Sequence, residues 1–539
     1  MTAIITDQLR ISNAKSFVEK VLSGDTSYYS FIGLSNPEEI KTDWDQFPPP
    51  PKDSFNEENN YWDTMVSLKR ITGGDVSQLI RKIEWNSGDI FDMYRHDITR
   101  DITPRDKRSK PSNSTTLYLS NYYVVNSDFR VYICLFNGAA PENDFQGVPS
   151  LDEPTFTDFD PRPAGISGDG YIWKYLYTIK PSDIIKFDSI DYIPVPKDWG
   201  NVGESINVKQ HATTSDQIKI CTIRNRGRGL GPPRGIANVP IVGDGVGIAG
   251  GDNINATCSI VIGNDSRVES IQVTNGGQNY TYASVDWKSA GISADEEDPE
   301  FDVIIPPQGG HGFDIYRELG AYYVLLYSRF ENDTNNPDFV VGNKISRIGL
   351  IENPLEFGSQ QILSSDEFSS ASAVFALKLK GISPNDDEFK TTSFSPNSII
   401  TQTVESGAIA VGKVVSYDQE TGILKYWQDR DIVGFNYDGT VDTNPEYGLK
   451  LHRFSDSVTG EGNTKIQGGT KELEIDINFG TIEDPVSTIN NINLGQSFVR
   501  GISNPEVQKY SGNIIYVDNR PSILRSINQK EDIKIVLQF

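Results

Sequence analysis

Short apolar runs alternate with turn residues over most of the chain, and this pattern constrains the fold more than any other feature. From about residue 115 onward, the runs are rich in β-branched and aromatic residues and are separated by Gly, Pro, Asn and Asp. Such runs are typical of β-strands. Few segments between them are long enough for crossover helices, which favours antiparallel sandwiches over a doubly wound sheet. The clearest runs are 121–136, 171–179, 218–223, 268–273, 322–327 and 373–380.

Helical periodicity is concentrated in the first hundred residues. From Asn13 to Leu22, apolar residues recur at intervals of three and four, which predicts a helix that Asn13 caps and that ends before Gly24. A second helical patch covers residues 61–66, and a third is predicted over residues 75–83, whose first residue can cap it. We therefore predict a mainly β fold with a few N-terminal helices (α+β), built on an antiparallel β-sandwich core with inserted β-rich modules.

A weak internal repeat marks one of these modules. The segments Ile223 to Gly227 and Ala237 to Val239 are echoed by Val273 to Gly277 and Ala283 to Val285. Each copy predicts a strand, an Asn/Gly turn and a second strand, but two copies are fewer than the roughly three that a solenoid needs. We therefore expect an inserted β module over residues 205–300, closed by an exposed acidic stretch.

The chain is strongly acidic, with 49 Lys and Arg against 74 Asp and Glu and a formal net charge of −25. A protein with this charge repels phosphate backbones on average, so we expect no nucleic-acid partner. Two short basic loops interrupt the negative charge. They favour contacts with an acidic neighbour, or are simply solvated. The interface candidates in them are Arg105, Arg108, Arg224, Arg226 and Arg228.

Apolar stretches and cysteines indicate whether a chain inserts into a membrane and whether it forms disulfides. The most apolar uninterrupted stretch, Ala321 to Tyr327, is far shorter than the roughly 18 residues of a membrane span, so we expect no membrane insertion. Nothing near the N-terminus has the pattern of a signal peptide. Cys134, Cys221 and Cys258 fit neither a disulfide framework nor a zinc site, so we predict free, buried thiols.

Two glycine-rich motifs suggest phosphate binding but lack the required context. Gly245 to Gly250 matches G-x-G-x-x-G, yet β-branched residues follow where a helix must open. Gly407 to Lys413 nearly spells a P-loop, but the next residue is Val414 instead of the Ser or Thr that binds magnesium. The first motif therefore indicates a flexible turn and the second a strand that carries a lysine.

Metal and catalytic motifs are equally incomplete. The residues around Asn436 and Gly439 lack the carboxylates of an EF-hand at both ends of the loop. A looser calcium site in the acidic loop 152–160 stays open, with a solvated loop as the alternative. His311 lies in a Gly-rich turn without a local Ser or Cys nucleophile, which favours a hydrogen-bonded turn histidine over a catalytic one.

Three sequence blocks are more specific than these motifs. They are Ser511 to Pro521, which leads to the terminal segment 535–539, then Gly168 to Ile179, and Ile345 to Leu355. Together they resemble the baseplate wedge subunit made by gene eight of T4-like contractile-tailed bacteriophages. Weaker echoes lie at 48–54, 81–85 and 132–135, and the blocks at 309–327 and 422–431 look like those of the cyanobacterial-phage branch.

The resemblance implies a structural subunit of the virion, without enzymatic activity or cofactor. In the family that this chain resembles, the subunit acts like a connector. A homodimer lies in each baseplate wedge and contacts other wedge subunits. We therefore expect this chain in the tail baseplate of the virion, after assembly in the host cytoplasm. The signature positions that the resemblance assigns are Gly168, Asp169, Gly170, Trp173, Asn353, Pro354, Tyr516, Asn519, Arg520 and Pro521.

The resemblance also organises the chain, because the length beyond compact family members falls in two insertions. We predict five segments. They are N-terminal helices plus β core (1–204), the inserted β-repeat module (205–300), a return to the core (301–358), a second β-rich insertion (359–504) and C-terminal strands that complete the core (505–539).

Two other functions remain open at this point. A β-rich acidic chain with exposed Tyr and Trp can stack on sugars, which would suit a phage protein that binds or cleaves glycans. A calcium-stabilised β adhesin is the third hypothesis. Neither has a motif of its own in the sequence.

Overall fold

The computed structural model describes residues 5–35, 44–98, 116–246, 256–331, 340–363, 369–380, 394–404, 408–430, 446–448, 450–456 and 463–539. Strands account for 40% and helices for 13%, which confirms the predicted mainly β, α+β fold class. Every helix in these ranges is too short or too polar to cross a membrane. The helices within them are α1 (Asp7–Ser23), α2 (Phe55–Thr64), α3 (Pro181–Phe187), α4 (Glu204–Thr214) and α5 (Ile315–Leu319).

The strands of the described ranges are numbered in chain order. The first thirteen are β1 (Tyr28–Gly33), β2 (Met65–Ile71), β3 (Val76–Arg81), β4 (Tyr123–Val125), β5 (Arg130–Asn137), β6 (Tyr171–Thr178), β7 (Tyr192–Pro194), β8 (Cys221–Asn225), β9 (Arg234–Gly243), β10 (Ala256–Ile262), β11 (Val268–Asn275), β12 (Ala283–Val285) and β13 (Glu300–Val303). The others are β14 (Tyr323–Glu331), β15 (Lys344–Glu352), β16 (Ser370–Ser372), β17 (Phe375–Lys378), β18 (Ile399–Thr403), β19 (Ile409–Asp418), β20 (Ile423–Trp427), β21 (Lys465–Gly468), β22 (Lys471–Glu474), β23 (Val486–Ile489), β24 (Ile492–Phe498), β25 (Ile502–Ser503), β26 (Asn513–Leu524) and β27 (Lys530–Gln538).

The chain divides into two compact units, each built from segments that are distant in sequence. Unit 1 comprises Met1–Val18, Ser77–Leu325 and Val536–Phe539. Unit 2 comprises Glu19–Val76 and Leu326–Ile535. The five-segment organisation drawn from the sequence stays a prediction beside this division.

Unit 1 has an aromatic core around a three-stranded antiparallel sheet in the order β4-β5-β6. Its strands contribute side chains such as Tyr132, Trp173 and Tyr175, all fully buried in one cluster. Rings in this cluster meet edge to face, as in the pair Tyr132 and Tyr175, whose centroids lie 5.7 Å apart. Such pairs stabilise a core beyond the burial of their area.

The predicted β repeat forms a second core within unit 1. Strands β9 to β12 make a four-stranded sheet in the order β11-β10-β9-β12, and β8 pairs with β13. In both copies the Asn side chain accepts a hydrogen bond from the Gly two residues later: Asn225 Oδ1 from Gly227 N at 2.9 Å, and Asn275 Oδ1 from Gly277 N at 3.0 Å. Both glycines have positive φ. The predicted strand-and-turn unit is therefore confirmed in both copies.

The acidic stretch that closes this module is exposed, as predicted, but it is also fastened to the first repeat turn. Glu297 accepts a hydrogen bond from Asn225 Nδ2 at 2.7 Å, and its carbonyl accepts one from Arg228 N at 2.9 Å. Lys288 and Asp298 form an ion pair at 2.9 Å. The stretch therefore belongs to the fold of the module.

Unit 2 contains a five-stranded antiparallel sheet in the order β16-β2-β1-β15-β26. A seven-stranded sheet has the order β22-β21-β18-β19-β20-β17-β25, and β23 pairs with β24. Lys413, from the P-loop-like motif, lies in the middle of β19 and is buried, with its Nζ 2.6 Å from Asp429 Oδ2. The interpretation of that motif as a strand with a lysine is therefore confirmed.

Three helix predictions need correction. Helix α1 begins at Asp7, so Asn13 lies inside the helix instead of capping it, while Gly24 does follow its end with φ +74°. Helix α2 covers part of the second patch and ends at Thr64, and the patch continues as β2. The third predicted helix is the strand β3; it is buried almost throughout, and a short run buried on both faces lacks the alternation that identifies strands.

Helices also occur beyond the first hundred residues. Helix α3 begins at Pro181, whose fixed φ suits a first helical position, and α4 and α5 follow later in the chain. The expectation that helices belong only to the N-terminal part is therefore wrong. All three cysteines of the chain are free and buried, which confirms that prediction.

The corner where β26 begins makes a steric demand that can be tested. Gly512 has φ +70°, and a Cβ there would lie 2.5 Å from Glu352 O. We expect Gly512→Ala to lower the free energy of unfolding by about 3 kcal/mol, because strain from the left-handed backbone adds to overpacking. Gly342, with φ +79° and no atom within 4 Å of the place that a Cβ would take, is the control. Gly342→Ala should cost only about 1 to 2 kcal/mol.

The measurement is urea unfolding followed by the fluorescence of the buried tryptophans. Equal losses for Gly512→Ala and Gly342→Ala would contradict the close packing of this corner.

Candidate functional site

Two of the three resemblance blocks are neighbouring strands in unit 2. The block at 345–355 is β15 and the turn after it, and the block at 511–521 contains most of β26. The strands pair antiparallel, with Leu350 opposite Tyr516 and Arg347 opposite Asn519. On its other edge β15 pairs with β1, so the C-terminal block lies in one sheet with the N-terminal strands β1 and β2. We call this pair the β15–β26 junction.

Arg347 is the central polar residue of the junction. Its side chain is 1% exposed, its Nε donates to Asn519 Oδ1 at 2.8 Å, and its Nη1 donates to Thr64 Oγ1 at 2.6 Å. The guanidinium also lies 4.7 Å from the ring centroid of Tyr61. Asn519 in turn donates from Nδ2 to Pro49 O at 3.0 Å. Arg347 thus joins β15, β26 and helix α2, and Asn519 extends this network to Pro49.

Asn353 and Pro354 form the corner that follows β15. Asn353 has φ +49°, and its Oδ1 accepts from Ser27 N at 2.8 Å while its own N donates to Ser27 O at 2.8 Å. Leu355 N then donates to Ser511 Oγ at 2.9 Å, which connects the corner to the start of the C-terminal block. These signature positions therefore have a structural role, since they set the backbone path of both strands.

Arg520 and Pro521 lie on the outer part of the junction. Strand β26 is at the edge of the five-stranded sheet, where a proline is tolerated because it has no N–H to donate to a further strand. The Arg520 side chain is 56% exposed and its Nε lies 2.7 Å from Asp518 Oδ2. Its carbonyl accepts a hydrogen bond from Trp44 Nε1 at 2.8 Å.

The remaining signature positions lie in unit 1, at the start of β6. Gly168 and Gly170 have positive φ, and Asp169 between them accepts from Tyr171 N at 3.0 Å and from Leu151 N at 2.9 Å. Trp173 is fully buried, and its ring stacks on that of Tyr171 with 5.3 Å between centroids. The structure thus groups the signature residues in two places, one in each unit.

A buried charged cluster precedes the C-terminal block, and sequence reasoning missed it. Asp63 is 3% exposed; it accepts a short hydrogen bond from Tyr510 Oη and pairs with Arg430 Nε at 3.0 Å. Lys509 Nζ donates to the carbonyls of Asp63 and Trp62, each at 3.1 Å. Burial lowers the pKa of Lys509 to about 8. The one signal in the sequence was the adjacency of Lys509 and Tyr510 to the block.

The basic loop with Arg224, Arg226 and Arg228 is paired with carboxylates of unit 1. Arg226 pairs with Glu142 and Asp265, each at 3.0 Å, and Arg224 and Arg228 lie 3.6 Å and 3.7 Å from carboxylates of the acidic stretch. The neighbours of these candidates are therefore acidic residues of the same chain. Arg105 and Arg108 lie outside the described residues.

The described part of the chain has no cluster of metal ligands. Three or more His, Cys, Asp or Glu side chains do not come together there in a way that could hold a metal ion. The acidic loop 152–160 divides its carboxylates among separate partners, for example Asp152 with Ser167 N at 2.7 Å and Asp158 with Arg162 at 2.7 Å. Gly247 and Gly250 of the first glycine motif, and residues 436–439 of the calcium-like loop, lie outside the described residues.

His311 belongs to a buried pair that shapes a turn. Its Nδ1 lies 2.6 Å from Glu318 Oε1, and the other carboxylate oxygen accepts from Gly312 N at 2.7 Å. The rings of His311 and Tyr94 are perpendicular, with 4.7 Å between centroids. This is the hydrogen-bonded turn histidine that the sequence favoured.

Comparison with known proteins does not assign this site. No protein-family model matches the chain, and no curated protein matches it. The site is therefore characterised by its geometry alone. It consists of a long-range strand junction with a buried arginine and of a buried charged cluster next to the C-terminal block.

The buried arginine of the junction leads to a stability prediction. We expect Arg347→Met to lower the free energy of unfolding by about 3 kcal/mol, because Asn519 and Thr64 lose hydrogen bonds to a charged donor. Arg520→Met, in the neighbouring block, removes only an exposed ion pair and should cost less than about 1 kcal/mol. Urea unfolding of both variants measures the difference, and an Arg347→Met protein as stable as Arg520→Met would contradict the central role of Arg347.

The charged cluster predicts a pH dependence. The pKa of Lys509 is about 8 in the folded chain and about 10.5 when unfolded. Between these values the unfolded chain binds more protons, so this lysine makes stability rise with pH. From pH 8 to 9.5 we expect Lys509 to contribute a gain of about 1.5 kcal/mol.

The gain is measured as the difference between the wild-type chain and Lys509→Met in urea unfolding at each pH. Lys186→Met, which removes a lysine from helix α3, is the control for the loss of a lysine outside the charged cluster. A profile of Lys509→Met that parallels the wild type would contradict the assignment.

Proposed function

We propose that this chain is a structural subunit of the baseplate wedge in the contractile tail of a bacteriophage. In this role it is a homodimeric connector that holds neighbouring wedge proteins, it carries out no reaction and it needs no cofactor. It assembles in the host cytoplasm and ends in the tail baseplate of the virion. The support comes from the resemblance blocks and from the exposed apolar residues that lie on and near one of them.

One observation carries the proposal: several apolar side chains on and near the C-terminal block are exposed. Ile515, Ile523 and Leu524 of β26 are 45%, 50% and 62% exposed. Phe55, at the start of α2, is 88% exposed, and it lines the same surface groove as Ile515. Phe47 in the preceding segment is 75% exposed. Phe55 and Ile515 thus form contiguous exposed apolar surface in one groove, and such surface marks protein contact sites.

The β15–β26 junction, which carries the exposed residues of β26, suits a connector subunit. Antiparallel strands with a buried arginine hold the backbone of β26 in one position, so the exposed residues are presented on a rigid element. A rigid surface loses little conformational entropy when a partner binds. The net charge of −25 keeps free subunits apart until shaped contacts form.

The glycan hypothesis has a specific observation against it. Six of the seven tryptophans are buried, and the seventh, Trp85, is half-buried. Stacking on sugars needs exposed aromatic faces, so the tryptophans of this chain do not supply that surface. The calcium adhesin is likewise not favoured, because the carboxylates of the acidic loop are divided among separate protein partners.

The proposal is tested by locating the chain on intact particles. We expect gold-labelled antibodies against the purified chain to form a ring at the baseplate end of the tail. The control is the same antibody serum after absorption with the purified chain. Label on the tail fibres only, or no label on particles whose protein composition includes the chain, would overturn the proposal and would return attention to glycans.

A further inference from the structure

Unit 1 contains a cleft of about 680 Å³ between the β module and the aromatic core. One wall consists of β8 with the residues before it and of β11; the other consists of the loops 138–142 and 160–163 with parts of β5 and β6. The volume falls within the range of roughly 300 to 1,000 Å³ that is typical of ligand sites. We call it the β8–β11 cleft.

Strands β8 and β11 of the module wall are joined by a backbone hydrogen bond at each end, which we call a tie, and form no ladder between the two ties. Gln217 N donates to Gly277 O at 2.8 Å, and Val268 N donates to Arg226 O at 2.9 Å. These two ties have the same antiparallel register, yet β8 and β11 belong to different sheets, so no ladder joins them between the ties. Eight residues of each strand lie between these two ties. Lys219, near one tie, and Glu269, next to the other, are about six residues apart along the strands, or about 20 Å at the rise of a strand.

The centre of the cleft is apolar. Ile220, Ile223 and Ile271 contribute on the module side, and Phe136 and Ile172 on the other side. Ile220 is 9% exposed, while the other four are half-buried. An apolar ligand would therefore remove further hydrocarbon surface from water, at about 25 cal/mol for each Å².

At one end of the cleft, the ammonium group of Lys219 lacks a close hydrogen-bond acceptor in the described part of the chain. The Lys219 side chain is 16% exposed, and within the described residues its polar contact is Asp160 Oδ1 at 3.5 Å, beyond the usual length of a charge-assisted hydrogen bond. Asp160 is itself 74% exposed and is shared with His211 Nε2 at 3.4 Å. Burial, and then the charge of Lys219, lower the pKa of nearby Lys174 to about 8.

The opposite end is acidic. Glu142 and Asp265 flank Arg226, and Glu269 on β11 is a third carboxylate, exposed at the cleft. Three carboxylates against one guanidinium leave this end negative. Asp160 and Asp216 also line the Lys219 end and offset its charge, so the cleft is close to neutral there and negative at the Glu269 end, with an apolar centre between them.

We propose that the β8–β11 cleft binds an extended segment of a partner protein about six residues long, with apolar side chains at its centre, an Asp or Glu carboxylate at the Lys219 end and a Lys or Arg at the Glu269 end. The carboxylate supplies the close hydrogen-bond acceptor that Asp160 does not provide to Lys219. The proposal rests on the assembly role above, because it names the chemistry of one partner contact. That contact belongs to unit 1, whereas the β15–β26 junction belongs to unit 2.

The test uses fluorescent six-residue peptides and the purified full-length chain. The probe alternates valine and threonine between a terminal lysine and a terminal aspartate, and is made in both chain directions. In its matched counterpart asparagine replaces aspartate. We expect fluorescence anisotropy to show binding of the aspartate probe in one direction, at least tenfold tighter than that of its asparagine counterpart.

Variants assign this binding to the cleft. Lys219→Met should reduce the affinity for the aspartate probe to that of the asparagine peptide. Ser270→Trp, at an exposed position that lines the cleft, should abolish binding of both peptides by filling it. Lys288→Met removes an exposed lysine of the same module and should change nothing. Thermal unfolding confirms that each variant is folded.

Two outcomes would overturn the proposal. Equal binding of aspartate and asparagine peptides, unchanged in Lys219→Met, would mean that the cleft does not recognise a carboxylate. Full displacement of the probe by octanoate at the same concentration as the peptide would assign the cleft to a small carboxylate instead of a protein segment. Either result is independent of where the chain lies on the virion, so the proposed function can stand when this proposal fails.

Discussion

The pairing of β15 with β26 is the interaction on which the architecture of unit 2 depends. Arg347 and Asn519 are 172 residues apart in sequence, yet they share a hydrogen bond at the centre of this pairing. Closing so long a loop is entropically unfavourable, and the buried surface and hydrogen bonds of the finished sheet must offset that cost. Arg347 strengthens the register, because a one-residue slip would leave its buried guanidinium without Asn519.

Buried polar groups recur wherever distant segments meet within a unit. Asp63 with Arg430 and Tyr510, Lys509 with the carbonyl of Trp62, and Arg347 with Thr64 are examples in unit 2. Each is costly to bury unless its partner is in place, so each penalises alternative packings more than it stabilises the native one. The proposed role requires several surfaces in fixed positions, and for that role this specificity is of more use than additional stability.

Local patterns were reliable where a residue's own conformation decides the structure. The strand runs, the two Asn/Gly turns of the repeat and the buried cysteines were all predictable, because β-branched residues, positive φ and apolar thiols act locally. The helix predicted from Asp75 is a strand, since burial on both faces removes the alternation that identifies strands. The charged cluster at Asp63 was not predictable, because its members are up to 447 residues apart.

By itself, the sequence determined the fold class, the turn positions, the net charge and the blocks that carry the family resemblance. Only the tertiary structure decided that two of these blocks are adjacent strands, that Arg224, Arg226 and Arg228 face acidic residues of their own chain, and that Lys219 lies at one end of a cleft. The physical reason is that propensity and charge are properties of single residues and short runs, whereas hydrogen bonds, ion pairs and clefts arise only when distant segments are brought together.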